Sequence, residues 1–489
     1  MPVLRPWQDD TRPLIALAVT VMLYAVAGVE IRLWPIAILA PLPMLAAAPE
    51  IPDWLATRFA FVAYFLGNLA VWPSESFAAP LWELAVLHAA GAGLFAILVV
   101  MHCEAARRFA GWLAALVYPV LSAAAWHAIG RISPNGSWGV PAYWESAFLP
   151  VMQIAAFTGL GGVTFLMGWV PAGIAVAWYR RRWGMRWKSA AAAPICAFVI
   201  VSALGAIRLV GKDPGPAIKV GLAATDQMLA ASEAVDPVDA APIIGLYAPL
   251  ATKLQRQGAQ VILMPEKIVG VRPKYEQEVI AGFAQIARMN HVWLIVGLNE
   301  LAPAPKHNLA IVISPSGDVT ARYFKHYLIP GLERGYAPGT ELAMFDLPQG
   351  GAAVAICKDL DFPALGRRIA RAGARFLFVP AWDWPGSEEV HARMAVMAGV
   401  ESGLSIARAA RQGLVTVSDA RGRMLAREST FATDPVTLVF TMPPGTGATF
   451  YARHGDWFGD LMLMLAAAMI ALIALSVRHT QRRTQRQPA

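Results

Sequence analysis

The sequence predicts a membrane-spanning α-helical bundle joined to a layered α/β domain. Of its 489 residues, 57% are hydrophobic and only 15% are charged, a balance too apolar for a soluble protein of this length. Uncharged stretches long enough to cross roughly 30 Å of hydrocarbon fill the first 207 residues and return once near the C-terminus. Between them, short β-rich runs alternate with helical stretches, which is typical of an α/β domain.

About eight membrane spans are predicted from these uncharged stretches. They are 13–29, 33–49, 59–74, 84–101, 109–128, 156–178, 190–207 and 461–477. Several are short and contain proline or glycine, which helices in a bundle tolerate when neighbours satisfy the freed backbone groups. A re-entrant or interfacial path for one or two of them stays open.

The orientation follows from basic residues in the short loops, because lysine and arginine near a span resist translocation. With the N-terminus inside, fourteen basic residues lie on the inner side: Arg5, Arg12, Arg58, Arg107, Arg108, Arg180, Arg181, Arg182, Arg186, Lys188, Arg478, Arg482, Arg483 and Arg486. Only Arg32 and Arg131 fall in the outer short loops. Both termini are therefore predicted to be cytoplasmic and residues 210–457 to face outward. The basic tail at 478–486 is explained as an inner-leaflet anchor, so no nucleic-acid partner is expected.

Three regions are predicted along the chain. Residues 1–209 form the seven-span bundle, 210–457 the exported catalytic domain, and 458–489 the last span with its basic tail. The domain contains eight β-rich runs: 218–223, 261–264, 292–298, 309–314, 352–357, 376–379, 414–417 and 437–440. Helical stretches are predicted at 242–257, 275–289, 364–373 and 388–401.

Cys357 is the one thiol expected in the exported domain, since Cys103 and Cys196 fall at or inside spans. No disulfide framework is implied. A thiol is a strong nucleophile only as thiolate, so it needs a nearby base or positive charge. Glu266 as proton acceptor and Lys325 as cation would supply both. The backbone N–H groups of Lys358 and Asp359, just after the nucleophile, are suited to stabilise a carbonyl oxyanion.

Three segments carry a family resemblance: Met-Pro-Glu-Lys (264–267), Tyr-Phe-Lys-His-Tyr-Leu-Ile-Pro (323–330) and Val-Ala-Ile-Cys-Lys-Asp-Leu-Asp-Phe-Pro (354–363). They resemble the motifs of the nitrilase, or carbon-nitrogen hydrolase, superfamily. That resemblance implies a Glu266-Lys325-Cys357 triad in an αββα sandwich. The flanking spans, together with 148–162, Val-Gly-Leu-Asn-Glu (296–300) and His-Asn-Leu-Ala (307–310), resemble its apolipoprotein N-acyltransferase branch. The same branch implies that Glu333 is a further active-site carboxylate that orients Lys325.

The resemblance implies a reaction as well. Cys357 would take an acyl chain from a phospholipid, and the thioester would be attacked by the α-amino group of a diacylglyceryl-cysteine at a lipoprotein N-terminus. The enzyme would be a monomer in the bacterial inner membrane with a periplasmic catalytic domain. No cofactor is expected. His326 and His391 are alternative relay bases or metal ligands, but no ligand spacing accompanies them, so no metal is expected.

Departures from the family pattern leave alternatives open. The N-acyltransferase branch has an aromatic residue and a glutamate directly after the cysteine. This chain has Lys358 and Asp359 there, which is more similar to the small amidase branch. Ile-Pro-Gly-Leu-Glu (329–333) and Ala-Thr-Asp-Gln (224–227) also differ. A membrane-tethered amidase, an N-acyltransferase with another amine acceptor, and a transporter with a degenerate domain remain alternatives.

Two further expectations rest on position alone. Trp382 and Trp384 are predicted to line a lipid-facing pocket or, alternatively, to belong to an interfacial aromatic belt. Loops at 267–275 and 381–390 are candidate lids because they follow the Glu motif and a strand end.

Overall fold

The computed structural model describes residues 11–29, 33–71, 80–145, 147–212, 214–233, 237–301 and 305–485. Of the basic residues used for orientation, Arg5, Arg32 and Arg486 lie outside these ranges. The chain divides into two compact units. The first contains Met1–Ile132, Gly139–Arg208 and Asp456–Ala489, and the second contains Ser133–Trp138 and Leu209–Gly455.

The first unit is helical. Its helices are α1 (Arg12–Val29), α2 (Trp34–Leu39), α3 (Leu42–Ala47), α4 (Asp53–Asn68), α5 (Leu81–Arg108), α6 (Gly111–Ile132), α7 (Ala142–Glu145), α8 (Leu149–Met152), α9 (Ala155–Thr158), α10 (Leu160–Arg182) and α11 (Lys188–Leu209). After the second unit, one more long helix runs from Trp457 to Gln485. Apolar side chains cover much of the outer surface of these helices, as in a protein surrounded by lipid.

Six helical stretches of the described chain are long and apolar enough to cross a membrane: Asp53–Val71, Leu81–Arg108, Gly111–Ile132, Leu160–Arg182, Lys188–Leu209 and Trp457–His479. The predicted spans at 13–29 and 33–49 correspond to shorter apolar stretches, Arg12–Gly28 and Trp34–Glu50. The second of these is broken between α2 and α3, where Pro41 and Pro43 each lack a backbone donor. The multi-pass membrane architecture is thus confirmed, and the described residues contain six stretches of full spanning length where about eight spans were predicted.

The second unit contains two sheets. Its strands are β1 (Ile218–Ala224), β2 (Val261–Leu263), β3 (Val269–Val271), β4 (Trp293–Glu300), β5 (His307–Ile313), β6 (Val319–Phe324), β7 (Ala343–Leu347), β8 (Gly350–Val354), β9 (Phe376–Trp382), β10 (Ser405–Arg411), β11 (Leu414–Ser418), β12 (Met424–Ser429) and β13 (Val436–Met442). The first sheet has the order β13-β1-β2-β4-β5-β6, with β3 beside β4, and the second has the order β12-β11-β10-β9-β8-β7.

Helices cover the outer face of each sheet. They are α12 (Pro237–Arg256), α13 (Glu276–Asn290), α14 (Pro363–Arg371) and α15 (Glu388–Ser402). Later in the chain come α16 (Phe450–His454) and the long C-terminal helix of the first unit, α17. The first two share an apolar core with the first sheet, and α14 and α15 share one with the second. A third core lies between the sheets and includes Val220, Val354 and Phe378. The predicted αββα sandwich is confirmed.

Candidate active site

The three residues of the predicted triad all follow strands of the sandwich. Glu266 lies three residues after β2 and Lys325 directly after β6, both in the first sheet, whereas Cys357 follows β8 of the second sheet. All three side chains are buried. Strand ends from two facing sheets therefore deliver groups that are distant in sequence to one buried place.

Lys325 is the centre of a buried ionic cluster. Its Nζ lies 2.9 Å from Glu266 Oε1 and 3.2 Å from Glu333 Oε2. Burial alone would lower the pKa of this ammonium, but the carboxylates of Glu266 and Glu333 outweigh burial and raise it well above its usual range. Lys325 therefore stays charged over the whole physiological pH range.

Asn308, at the start of β5, joins the two carboxylates. Its Nδ2 donates to Glu266 Oε1 at 2.5 Å and to Glu333 Oε1 at 2.7 Å. Lys267 Nζ adds a 2.7 Å ion pair to Glu333 Oε1. Neither Asn308 nor Lys267 was assigned a role from the sequence. For Asn308 the sequence does contain a signal, because an amide at the start of an otherwise apolar strand is costly to bury unless it has a hydrogen-bond partner.

The charge of Glu333 makes a contribution to protein stability that depends on pH. Burial would raise its pKa, but Lys325 and Lys267 overcome burial and lower the pKa to about 2. A carboxyl whose pKa is depressed by folding stabilises the protein above its unfolded pKa and loses that contribution as the pH falls through the folded value. The window therefore runs from pH 4.5 down to about 2.

We expect Glu333→Gln to flatten the acid dependence of stability. The depressed pKa corresponds to roughly 3 kcal/mol of stability at neutral pH, which wild type loses on acidification below pH 4.5. The measurement is the midpoint of thermal unfolding in detergent between pH 6 and pH 3. Glu278→Gln, which changes an exposed carboxylate of α13, serves as control and should keep the wild-type slope. Equal slopes for wild type and Glu333→Gln would contradict the charged state assigned to Glu333.

Cys357 occupies a strained backbone position. Sequence reasoning placed it at the end of a strand, but β8 ends at Val354 and Cys357 opens a 3-10 turn, Cys357–Asp361, with φ of +44°. Left-handed backbone is uncommon for a non-glycine residue and clusters at functional sites. The Sγ atom donates to the carbonyl of Trp382 at 3.6 Å. The sharp turn thus separates the thiol from the strand that carries it.

The resting thiol is protonated. Burial is the main cause that raises the pKa of Cys357, and the Glu266 carboxylate raises it further, whereas Lys325 and Arg408 act in the opposite direction. Activation therefore requires a base that removes the proton as the new bond forms. Glu266 has a buried Oε2 for which no hydrogen-bond partner exists among the described residues. That oxygen is free to accept a proton.

Asp359 holds the turn Cys357–Asp361 and the chain around it through four hydrogen bonds. Its Oδ2 accepts from Tyr323 Oη at 2.7 Å and from the Ile356 N–H at 2.9 Å. Its Oδ1 accepts from the N–H groups of His326 and Tyr327 at 3.1 and 2.9 Å. The backbone N–H of Asp359 itself donates to the Ile356 carbonyl at 2.9 Å. Of the two proposed oxyanion donors, the N–H of Asp359 is thus already engaged, which leaves the N–H of Lys358 as the better candidate.

We expect Asp359→Asn to destabilise the catalytic unit. The carboxylate accepts from four donors, whereas an amide offers only one accepting oxygen, so at least one buried donor loses its partner. An unsatisfied buried donor costs about 2 kcal/mol, which corresponds to a fall of roughly 4–8 °C in the melting temperature of a domain of this size. Thermal unfolding in detergent measures it. Asp318→Asn, on an exposed turn, is the control, and an unchanged melting temperature for Asp359→Asn would contradict the role of this carboxylate.

A second buried ionic pair lies after β9. Asp383 and Arg408 are fully buried and form a bidentate ion pair, with one Nη1–Oδ2 distance of 2.9 Å. His391 Nδ1 lies 3.5 Å from Asp383 Oδ1, and burial lowers the pKa of this imidazole to about 4. His391 is thus neutral at physiological pH. The pairing of Asp383 with Arg408 was not predicted from the sequence, because a charged residue in or next to an apolar strand gives no local sign of its partner.

The two predicted pocket tryptophans have different surroundings. The ring of Trp382 stacks against the Arg411 guanidinium, 4.5 Å from its centroid, and its Nε1 donates to Gln412 at 2.8 Å. The ring of Trp384 lies 5.3 Å from that of His391. Both are half-buried, and the carbonyl of Trp382 accepts a hydrogen bond from Cys357. A lipid-binding role for either ring stays a prediction.

The candidate lid segments are largely ordered elements. Residues 267–275 contain β3 and a 3-10 turn, Pro273–Tyr275. Residues 381–390 contain the end of β9 and the first turn of α15. Their role as lids stays a prediction. Within the described ranges, no group of three or more His, Cys, Asp or Glu side chains is arranged to hold a metal ion.

Ser133–Trp138, which follows α6, packs with the catalytic unit. Sequence reasoning assigned this segment to the bundle. Ser137 donates to the Asp361 carbonyl through its N–H at 2.8 Å and through its Oγ at 2.6 Å. Asn135 Oδ1 accepts from Lys358 Nζ at 2.6 Å, and the ring of Trp138 lies 5.0 Å from that of His391. The segment therefore braces the turn that carries Cys357.

The chain is similar to a known protein family, to named relatives and to a solved structure. Residues 222–446 match the carbon-nitrogen hydrolase family. Over 371 aligned positions the chain is 26% identical to the apolipoprotein N-acyltransferase of Geobacter metallireducens, which covers 68% of this chain and 69% of that protein. It is 27% identical to the apolipoprotein N-acyltransferase of Vibrio cholerae, over 93% of this chain and 96% of that protein. A solved amidase from Nesterenkonia sp. is 21% identical with a TM-score of 0.42, covering 50% of this chain and 95% of that chain. The similarity to the two N-acyltransferases extends well beyond the hydrolase segment.

Proposed function

We propose that this chain, which belongs to the carbon-nitrogen hydrolase superfamily in its apolipoprotein N-acyltransferase branch, transfers an acyl chain from a phospholipid to an amine through a Cys357 thioester. Glu266 is the general base, Lys325 the fixed cation and Cys357 the nucleophile. The acceptor is the N-terminal diacylglyceryl-cysteine of a lipoprotein. The reaction has two half-reactions that share one covalent intermediate, so ping-pong kinetics are expected.

In the first half-reaction, Cys357 attacks the ester carbonyl of the phospholipid. Glu266 Oε2 takes the thiol proton as the S–C bond forms, and negative charge develops on the carbonyl oxygen. When the tetrahedral intermediate collapses, the C–O bond to glycerol breaks and Glu266 returns the proton to the departing oxygen. The products are the acyl-enzyme and a lysophospholipid.

In the second half-reaction, the acceptor amine attacks the thioester. An α-amino group has a pKa of about 8, so a useful fraction is neutral at physiological pH. Glu266 takes a proton from the attacking nitrogen as the C–N bond forms, and the C–S bond then breaks. The proton passes from Glu266 to the departing sulfur. The enzyme returns to its starting protonation state.

The observation that carries this assignment is the arrangement around Glu266. Its Oε1 is held by Lys325 Nζ at 2.9 Å and by Asn308 Nδ2 at 2.5 Å, whereas Oε2 has no hydrogen-bond partner among the described residues. A carboxylate fixed by one oxygen and open at the other is suited to shuttle a proton without moving. Glu333 supports this arrangement because it shares both Lys325 and Asn308 with Glu266.

Lys325 and the N–H of Lys358 are proposed as oxyanion stabilisers. The Lys325 ammonium is fixed by two carboxylates before substrate arrives, so it needs no reorganisation when charge develops. One preorganised donor of this kind is typically worth about 3 kcal/mol of the activation barrier. Asp359 N–H would contribute only if its hydrogen bond to Ile356 opens.

The membrane setting follows from the same proposal. The chain is a multi-pass membrane protein, and we propose that it lies in the bacterial inner membrane with cytoplasmic termini, a periplasmic catalytic unit and a monomeric state. A green fluorescent protein fused to the C-terminus should fluoresce, because that reporter folds in the cytoplasm and not after export in unfolded form. A dark but full-length fusion, alongside a bright fusion to a known cytoplasmic terminus, would contradict the orientation.

Complementation tests the function. A bacterial strain depleted of its own lipoprotein N-acyltransferase should be rescued by wild type and not by Cys357→Ser. Cys196→Ala, which changes an exposed cysteine of the bundle, should rescue as wild type does. Failure of wild type at normal expression would contradict the lipoprotein acceptor. An amidase, by contrast, would release ammonia from small amides without any lipid, and the purified protein should be silent in that assay.

A further inference from the structure

Lys358 is a buried cation that forms no ion pair among the described residues, although the charge of Asp361 acts on it from a longer distance. Its side chain is 8% exposed, and among the described residues its only hydrogen-bond partner is Asn135 Oδ1, at 2.6 Å from Nζ. No carboxylate of the described chain lies within 4.0 Å of this ammonium. An ammonium has three N–H donors, so two of them remain available for another acceptor.

The other lysine of the site is in a different state. The charge of Lys325 is balanced by Glu266 and Glu333, so the triad itself presents no excess positive charge to a substrate. Lys358 follows Cys357 directly. Burial lowers the pKa of Lys358 and the charge of Lys325 lowers it further, whereas Asp361 and Cys357 partly oppose this. Lys358 therefore places a positive charge directly after Cys357 that no ion pair among the described residues offsets.

A buried ammonium with free donors is suited to bind an anion. Charge-assisted hydrogen bonds from an ammonium to a phosphate are among the stronger polar contacts in proteins. In a glycerophospholipid the phosphate lies only a few bonds from the ester that the thiol attacks. A cation one residue from the nucleophile is thus at a suitable separation for the phosphate when the ester is at Cys357.

We propose that Lys358, positioned by Asn135, binds the phosphodiester of the acyl donor and thereby selects phosphate-bearing lipids over phosphate-free ones. This inference rests on the proposed function and adds a donor-recognition residue to it. Asn135 is a positioning residue, because its Oδ1 occupies one donor of the ammonium and directs the other two.

The test compares two donors with the same acyl chains, dipalmitoylphosphatidylglycerol and dipalmitoylglycerol, in the same detergent micelles. The rate of acyl-Cys357 formation is followed by intact mass for the full-length protein. For Lys358→Met, we expect the KM for the phosphatidyl donor to rise roughly 10- to 100-fold, as for the loss of a hydrogen bond to a charged group. The variant keeps the backbone N–H that is proposed as an oxyanion donor, and dipalmitoylglycerol has no phosphate for the side chain to bind. The rate with that donor should therefore change less than about 2-fold, a difference too small to count as a lost contact.

Two further variants separate charge from packing. Asn135→Asp places a carboxylate against the ammonium and neutralises it, so it should raise the KM for the phosphatidyl donor while keeping the side chain of Lys358. Lys358→Arg keeps the charge and should retain most of the preference for the phosphatidyl donor. Lys253→Met, which removes an exposed lysine of α12, is the matched control and should behave as wild type with both donors.

The outcomes distinguish the two levels of the proposal. If wild type forms no adduct with either donor, the proposed function fails and the inference fails with it. If wild type forms the adduct but Lys358→Met slows both donors equally, or neither, phosphate recognition by Lys358 is overturned while the acyltransferase stands. Inhibition of wild type by inorganic phosphate at concentrations below that of the lipid would assign the site to free phosphate and overturn the lipid assignment.

Discussion

Cys357→Ala is expected to abolish acyl transfer. Without the sulfur there is no thioester, and direct attack of the amine on the phospholipid ester must proceed without covalent catalysis. A loss on the order of 10⁴-fold or more is expected, as for other enzymes that lose their nucleophile. The readout is the transfer of palmitate from phospholipid to a synthetic diacylglyceryl-cysteine peptide by purified enzyme.

The cysteines of the bundle provide the control for this result. Cys196→Ala should keep wild-type transfer, since Cys196 lies on an exposed face of α11. Cys357→Ser should also be inactive, because a hydroxyl is far less acidic than a thiol and the Glu266 carboxylate is too weak a base to remove its proton efficiently. Transfer by Cys357→Ala above about 1% of wild type, far more than the residual expected after loss of a nucleophile, would rule out the covalent route.

Lys325→Met is expected to remove both activity and a large part of the stability of the catalytic unit. It leaves Glu266 and Glu333 in a shared buried site without the cation that both contact. Removing one partner from a buried ionic group typically costs 3–5 kcal/mol, which corresponds to a fall of about 10 °C in melting temperature. Transfer should fall by roughly 10³-fold because the fixed cation of the oxyanion site is lost.

The stability of Lys325→Met should depend on pH in a diagnostic way. Like charges in one buried site raise the pKa of one of the two carboxyls, so the variant should regain stability as the pH falls from 8 to 5. Adding Glu333→Gln should restore part of the melting temperature and none of the activity. Lys253→Met, on the surface of α12, should change neither property. A melting temperature within about 2 °C of wild type, below what the loss of 1 kcal/mol gives, would contradict the buried cluster.

The sequence was sufficient for the residues that carry motifs. Glu266, Lys325 and Cys357 each lie in a short motif after a strand, and the resemblance of those motifs to the nitrilase superfamily implied the αββα sandwich. Catalytic roles for these residues remain predictions, although Glu266 and Lys325 are in direct contact. Local patterns were sufficient because a strand followed by a polar turn residue is a feature of a few neighbouring positions.

Partnerships across the fold could not be predicted in this way. Strand β10 carries Arg408 and Arg411, and it was not among the eight predicted β-rich runs. In the structure Arg408 is paired with Asp383, 25 residues earlier in the chain, and Arg411 lies against Trp382. The contacts of Asn135 and Ser137 with the turn Cys357–Asp361 likewise join residues more than 200 positions apart in the sequence. Such pairs are set by tertiary packing, which overrides the local pattern.

The span count shows the same limit. Hydropathy located every long apolar helix, but it could not tell how proline would divide the stretch from Trp34 to Glu50. The prediction that the strand extends to Cys357 was wrong for a related reason. Apolar residues continue through Ala355 and Ile356, yet the backbone leaves the sheet at Val354 because Asp359 binds the Ile356 N–H and closes the turn.

Mapping of the acyl group in the absence of an acceptor tests the central claim most directly. The purified protein is incubated with phospholipid, quenched in acid, digested and analysed by mass spectrometry, and then chased with diacylglyceryl-cysteine peptide. We expect one hydroxylamine-sensitive acyl group on Cys357, which disappears on the chase as the peptide becomes N-acylated. Peptide acylation that proceeds at the wild-type rate with no acyl group on Cys357, or with the group on another residue, would contradict it.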